Sequence, residues 1–381
     1  MVPTYKYAMI KSLQDKFTEE FSNWSTSLLK NILCLTLGIL EKENCNLMKV
    51  ASSVEKIWGG PNSTSSHYRR LNRLFQSHSD SDAWLDLLVQ ASRFQTHSCQ
   101  YLTLDGSSWE KGKTKHHYLT LASIHDGVAQ PIYFQDLEKK GTSNQEERIA
   151  FFKECLKHYN LEGKTLLADR EYIGTDWFSF LFEHHINFII RCRQGNYKSQ
   201  VNAESGMSYE EMERKVLRSK KPNKCIHKII EIEGQYYQFI ITKNHKNKDE
   251  EPLLYLMSNL TTKAQKIVPK YRIRWQIECC FKHLKSNGFQ LENMNVKGLK
   301  RKRLLMSIII FAYSLSIKEG IKTYKNVSFK KYKDGTRYKS RSLFRHGRDK
   351  LRSKVRNITD LCKLILEFGN NRYRSPNAIN V

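Results

Sequence analysis

The chain has 381 residues and a formal charge of +26, from 64 Lys and Arg against 38 Asp and Glu. Such a surplus favours a polyanionic partner, because each phosphate that a Lys or Arg neutralises releases condensed counterions. The nine scattered cysteines, with no Cys-x-x-Cys pair, argue against a zinc or disulfide framework, and the charged first twenty residues argue against a secretory leader.

Residues 1–98 carry apolar side chains at helical spacing. Segments 11–24 and 27–40 read as helices, and 47–58 with 65–76 as a helix, turn and helix around Gly59-Gly60-Pro61. Serines able to cap it precede the last of these, which carries Arg69, Arg70 and Arg73. It reads as a recognition or phosphate-gripping helix, or equally as a plain hairpin with solvated arginines.

From residue 99 the pattern changes to strands. Segments 101–109, 116–127 and 128–137 read as three successive strands, the last two joined at the hairpin-favouring Asp126-Gly127. A helix follows, capped by Ser143 or Asn144, then strand, helix and strand to residue 193. Asp105 closes a short apolar run just before Gly106, and Asp169 follows Leu166, Leu167 and Ala168. One aspartate at a strand end is usually a turn or cap residue. Two of them, followed by a glutamate on a later helix, form an acidic triad.

Residues 196–262 read as a β-rich insertion, with strands on either side of Glu233-Gly234 and another across 251–260. The segment 271–285 reads YRIRWQIECCFKHLK. On one helix turning about 100° per residue, Tyr271, Arg274, Glu278 and Lys285 fall within about 60° of one another. An ordinary amphipathic helix has the same spacing. The longest apolar run, 304–317, is too short for a bilayer and reads as a buried helix. From residue 300 onward there are 22 basic residues against 5 acidic ones, interleaved with Tyr332, Tyr338 and Phe344. That composition suits backbone tracking with some base stacking, or a disordered basic tail, although the apolar stretch at 360–369 argues for a terminal helix.

With Tyr-x2-Arg-x3-Glu-x6-Lys filled by Tyr271, Arg274, Glu278 and Lys285, Asp-Gly-Ser at 105–107 and Asp-Arg-Glu-Tyr at 169–172, the chain resembles the DDE transposases of bacterial insertion sequences. The resemblance covers nearly its whole length. It implies an α/β fold, with a ribonuclease H-like catalytic core that carries the β-rich insertion and follows a helical N-terminal domain. The expected division is a helical DNA-binding region at 1–98, a catalytic domain at 99–318 with its insertion at about 196–262, and a basic C-terminal region at 319–381.

The implied activity is that of a DNA transposase, which binds insertion-sequence ends, cleaves them and joins the 3′-hydroxyl to target DNA. Asp105, Asp169 and Glu278 are then the catalytic and metal-holding residues. Carboxylates without His or Cys partners favour two Mg2+ ions, with Mn2+ also suitable. In that arrangement Asp105 bridges both ions, about 3.5–4 Å apart. Tyr271, Arg274 and Lys285 would contact phosphates near the scissile bond. Trp275 reads equally as a ring that stacks on an unpaired base or as a core aromatic, and Arg170 as turned away by strand alternation. The implied partners are double-stranded DNA, of element ends and target, and a second copy of the chain on that DNA. No membrane is expected, and the setting is cytoplasmic, nucleoid-associated and bacterial. Two other readings are a ribonuclease H-like nuclease that only hydrolyses and a transposase-derived DNA-binding protein without activity. The latter would show a lost carboxylate, and none is missing.

Overall fold

The computed structural model describes residues 2–16, 24–58, 62–93, 99–244, 250–332, 335–370 and 379–380. Among these, five helices precede the sheet: α1 (Val2–Lys16), α2 (Thr26–Lys42), α3 (Leu47–Trp58), α4 (Thr64–His78) and α5 (Ala83–Arg93). Ser25 and Ser63 cap α2 and α4, their hydroxyls accepting from the amides of Leu28 and Ser66. The turn Gly59-Gly60-Pro61 lies outside the described residues.

Eight strands form one sheet. β1 (Tyr101–Lys111), β2 (Thr114–His125) and β3 (Val128–Asp136) meander antiparallel, and Asp126 and Gly127 take positive φ of 49° and 73° at the hairpin turn. Helix α6 (Gln145–Leu156) begins with a capping box between Asn144 and Glu147, and leads to β4 (Thr165–Ala168). Helix α7 (Thr175–Glu183) leads to β5 (Asn187–Cys192). Strands β4 and β5 run parallel to β1.

The insertion opens with two helices, α8 (Lys198–Ala203) and α9 (Tyr209–Arg218), so its first part is helical rather than β-rich. Its strands β6 (Cys225–Ile232), β7 (Gln235–Lys243) and β8 (Leu253–Ser258) continue the main sheet, because β8 pairs antiparallel with β5. The order across the sheet is β3-β2-β1-β4-β5-β8-β7-β6.

Side-chain alternation divides the sheet's burial between two faces. Leu102, Leu104, Leu166, Ala168, Phe188 and Ile190 join the main core, whereas Leu167, Ile189, Ile240 and Leu256 join a smaller one under α10 (Ala264–Tyr271). A 3-10 turn (Arg272–Trp275) and α11 (Gln276–Leu284) follow, then α12 (Leu299–Thr323). Helix α12 is longer than its apolar run, and its most apolar 18-residue window has a mean hydropathy of 1.6. That window is 94% buried inside the protein, so α12 is a core helix.

Beyond it lie a ribbon of β9 (Phe329–Lys331) and β10 (Arg337–Lys339), then α13 (Leu343–Lys354) and α14 (Ile358–Asn370). Helix α13 crosses α12 so closely that a Cβ on Gly347 would stand 1.8 Å from the Ser316 carbonyl oxygen. Helix α1 packs against α14, and α12 against α2, α5 and α13. One continuous core therefore runs across positions 98 and 318, where the sequence suggested domain boundaries. None of the nine cysteines forms a disulfide.

Candidate active site

The parallel register builds the site. β1 pairs with β4 up to Leu104 and Ala168, and β4 with β5 up to Ala168 and Ile190. The next residues on the three chains are Asp105, Asp169 and Arg191, a single row on the face that carries α10. Neighbouring strands lie about 5 Å apart. Two ionised carboxylates at that separation repel by on the order of 3 kcal/mol at an effective dielectric near 20, so the row needs cations.

Asp169 follows the end of β4, as expected. Asp105 does not end its strand: β1 runs on to Lys111, with Asp105 opposite Thr120. Gly106 is therefore not a turn residue. It makes room for the His117 ring, whose Cε1 would stand 2.4 Å from an added Cβ.

The segment 271–285 is not one helix. Helix α10 ends at Tyr271, the 3-10 turn spans Arg272–Trp275, and α11 resumes at Gln276. Residues three apart eclipse in a 3-10 turn, which brings Tyr271 over Arg274, and Arg274 then meets Glu278 one α-turn on. The Arg274 guanidinium lies 2.5 Å from Glu278, 3.4 Å from Asp105 and 3.5 Å from Asp169. Tyr271 is only 7% exposed and packs in the smaller core, immediately before the turn that carries Arg274.

Lys285 departs from the expected face because α11 ends at Leu284. Its ammonium donates to the Ser108 carbonyl at 3.1 Å, pairs with Glu292 at 3.2 Å and lies 5.0 Å over the Trp109 ring. That places it beside β1, roughly 10 Å along the strand from Asp105. Trp275 is 46% exposed, which removes the core reading. On α4, Arg70 is half-buried and bonded to Asn31 at 2.8 Å, while Arg69 and Arg73 lie one turn apart on the exposed side.

The side chains of Asp105, Asp169 and Glu278 are 14%, 25% and 32% exposed. Burial pushes Asp105 up to about 7, with Asp169 and Glu278 adding to the rise; Arg274 and the Gly106 amide oppose it. Burial works against the charge of Arg274, but Tyr271 and the three carboxylates outweigh it and raise the group further.

An outer ring surrounds this centre. Arg191 lies 3.8 Å from Asp169 and is paired with Glu251, which also holds Arg170 at 2.6 Å. Sequence reading missed Arg191 and Glu251 and set Arg170 aside. Arg191 had a signal, since it closes the third apolar run just as the two aspartates close theirs. Glu251 had none.

One guanidinium does not balance three carboxylates. Among the described residues no three His, Cys, Asp or Glu side chains come close enough to hold one metal ion together, and Arg274 stands between the three acids. In chemistry the donor set fits hard cations, since every donor is a carboxylate oxygen.

Fold and site together define a mixed α/β protein with an all-carboxylate centre beside the ends of parallel strands. The transposase DDE domain matches residues 88–315, well over half the chain, and the chain belongs to that family. Asp105, Asp169 and Glu278 all fall within the matched span. Comparison with curated proteins finds no match. Among solved structures, the chain is similar to a piggyBac transposase synaptic complex with hairpin DNA, at 12% identity and a TM-score of 0.46, covering 94% of this chain and 75% of that one. It is also similar to the NurA nuclease from Sulfolobus solfataricus, at 13% identity and a TM-score of 0.26, covering 69% of this chain and 98% of that one.

Proposed function

We propose that the chain is a DNA transposase that binds insertion-sequence ends, cleaves them by metal-dependent phosphoryl transfer and joins the 3′-hydroxyl to target DNA. The observation that carries this reading is the convergence of Asp105, Asp169 and Glu278 on one guanidinium. The partial order β3-β2-β1-β4-β5, with β1, β4 and β5 parallel, supports a ribonuclease H-like core beneath them.

The three carboxylates would hold Mg2+ or Mn2+, which when bound activates an attacking oxygen and stabilises a leaving one. Arg274 offsets their mutual repulsion until then, and its planar fork suits two phosphate oxygens at once. Tyr271, one 3-10 turn before it, would offer its hydroxyl to a phosphate oxygen. Lys285 extends a cationic track along β1, and Trp275 offers an exposed ring to an unpaired base. Arg69, Arg73 and the basic C-terminal region add attraction that does not depend on base sequence. Double-stranded DNA at element ends and target, a homodimer on that DNA and a cytoplasmic, nucleoid-associated setting belong to the same reading.

DNA flanking the chain's own gene supplies candidate ends for the test. Asp105→Asn, Asp169→Asn and Glu278→Gln are each expected to reduce strand cleavage in Mg2+ to the level of a protein-free control. End binding should stay within a few-fold, because it rests on dispersed Lys and Arg. Any one of these variants that cleaves at the wild-type rate removes that residue from the centre. Products that are nicked but never joined favour a nuclease that only hydrolyses.

A further inference from the structure

A hairpin of three-residue strands is marginal in water on its own hydrogen bonds. In β9–β10, Phe329 lies opposite Lys339, Lys330 opposite Tyr338 and Lys331 opposite Arg337. The base of the ribbon is anchored: Lys339 donates to the Val327 carbonyl at 2.7 Å and lies 4.3 Å over the Phe329 ring, while Tyr324 donates to the Arg341 carbonyl at 3.0 Å. The rest is uncovered. Phe329, Tyr332 and Tyr338 are 63%, 50% and 62% exposed, three of the four most exposed large hydrophobic side chains among the described residues. Apolar rings scattered singly over a surface need no explanation, but two on the same side of one small ribbon, Tyr332 and Tyr338, mark a contact surface.

Strand alternation places Lys330, Tyr332 and Tyr338 on one side and Phe329, Lys331 and Arg337 on the other. The Tyr332 and Tyr338 rings meet edge to face, 5.8 Å apart at 75°, so their flat faces are not stacked on each other. The described residues 325–332 and 335–341 hold six Lys and Arg and no acid. A second copy of the ribbon would set like charge against like, whereas a polyanion complements it. Alternating cations and aromatic rings match a strand of alternating phosphates and bases. Base faces are open in an unpaired strand and covered by stacking in a duplex.

We propose that the β9–β10 ribbon binds unpaired DNA, with Tyr332 and Tyr338 stacking on bases and Lys330 on the same side holding a phosphate, while Lys331 and Arg337 on the other side add longer-range attraction to the backbone. This rests on the reading above that DNA is the substrate.

The test uses the full chain in EDTA, so that binding is read apart from cleavage. The probes are a fluorescent oligothymidylate on the order of 16 nucleotides long and a duplex with the same number of phosphates. Tyr332→Ala with Tyr338→Ala should weaken oligothymidylate binding at least about 10- to 100-fold, the loss expected for a single stacked base. Duplex affinity and the slope of log affinity against log salt should stay unchanged. Tyr332→Phe with Tyr338→Phe keeps the rings and should bind like wild type. Lys330→Gln, Lys331→Gln and Arg337→Gln together should flatten the salt slope on both probes.

Wild-type oligothymidylate affinity in the Ala pair overturns the proposal. So does equal loss on both probes with a lowered melting temperature, which would mark a structural role. A dimer that becomes monomeric in sedimentation also overturns it, and makes the ribbon an interface between copies. Failure of the transposase reading is a separate observation, no strand cut by wild type in Mg2+, and does not alter these binding results.

Discussion

Arg274 bears one positive charge among three carboxylates, and this makes it the most consequential single side chain in the molecule. Removing one partner from a buried ionic cluster costs on the order of 3–5 kcal/mol, because the remaining charges lose their compensation. Arg274→Ala should therefore lower the melting temperature in EDTA, and Mg2+ should restore more of it than it adds to wild type. Equal melting of variant and wild type in EDTA would mean that the guanidinium does not hold the acids together. At this scale the meeting of Asp105, Asp169, Arg274 and Glu278 was legible, because their residue types and spacing are local facts. Arg191 was not, since its place beside Asp169 depends on the register of β5 against β4. Lys285 was misplaced because a uniform helix was assumed across a segment that changes pitch and then stops.

Elements with a local cause were legible. The hairpins at Asp126-Gly127 and Glu233-Gly234 take the positive φ that their residues permit, and Asn144 caps α6. The docking of α11 on α13 had no such cause. There His283 stacks on Phe344 at 4.6 Å, and its Nδ1 is buried without a hydrogen-bond partner. Burial, reinforced by Arg348 and Lys282, lowers His283 from 6.5 to about 4. Because the folded group resists protonation, the stability from its neutral form is present above pH 6.5 and is lost as pH falls toward 4. Between pH 7 and pH 5 the loss is on the order of 2 kcal/mol. His283→Phe keeps the ring and removes the titration, so urea midpoints at pH 7 and pH 5 should differ less in the variant than in wild type. An equal pH dependence in both would place the acid sensitivity elsewhere.

For the whole molecule, net charge was legible from composition, and the continuity of the core across the expected regions was not. Patterning shows which residues need burial but not which partner covers them. The basic region after residue 318 includes α13, whose Phe344 packs against Tyr313 of α12, and whose Arg348 and Arg352 pair with Glu43 at the end of α2. A chain ending at residue 342 would uncover the apolar side of α12. It should be insoluble, or lose its cooperative thermal transition by circular dichroism. A soluble, cooperatively melting 1–342 fragment would show that the catalytic region is an independent domain.

The packing of α1 against α14 also sets a schedule for the chain's birth. Synthesis proceeds at about 5–20 residues per second, so the first helix waits on the order of 20–70 s before the surface that covers Ile10 and Leu13 has been made. Until then the apolar side of α1 lacks its partner helix.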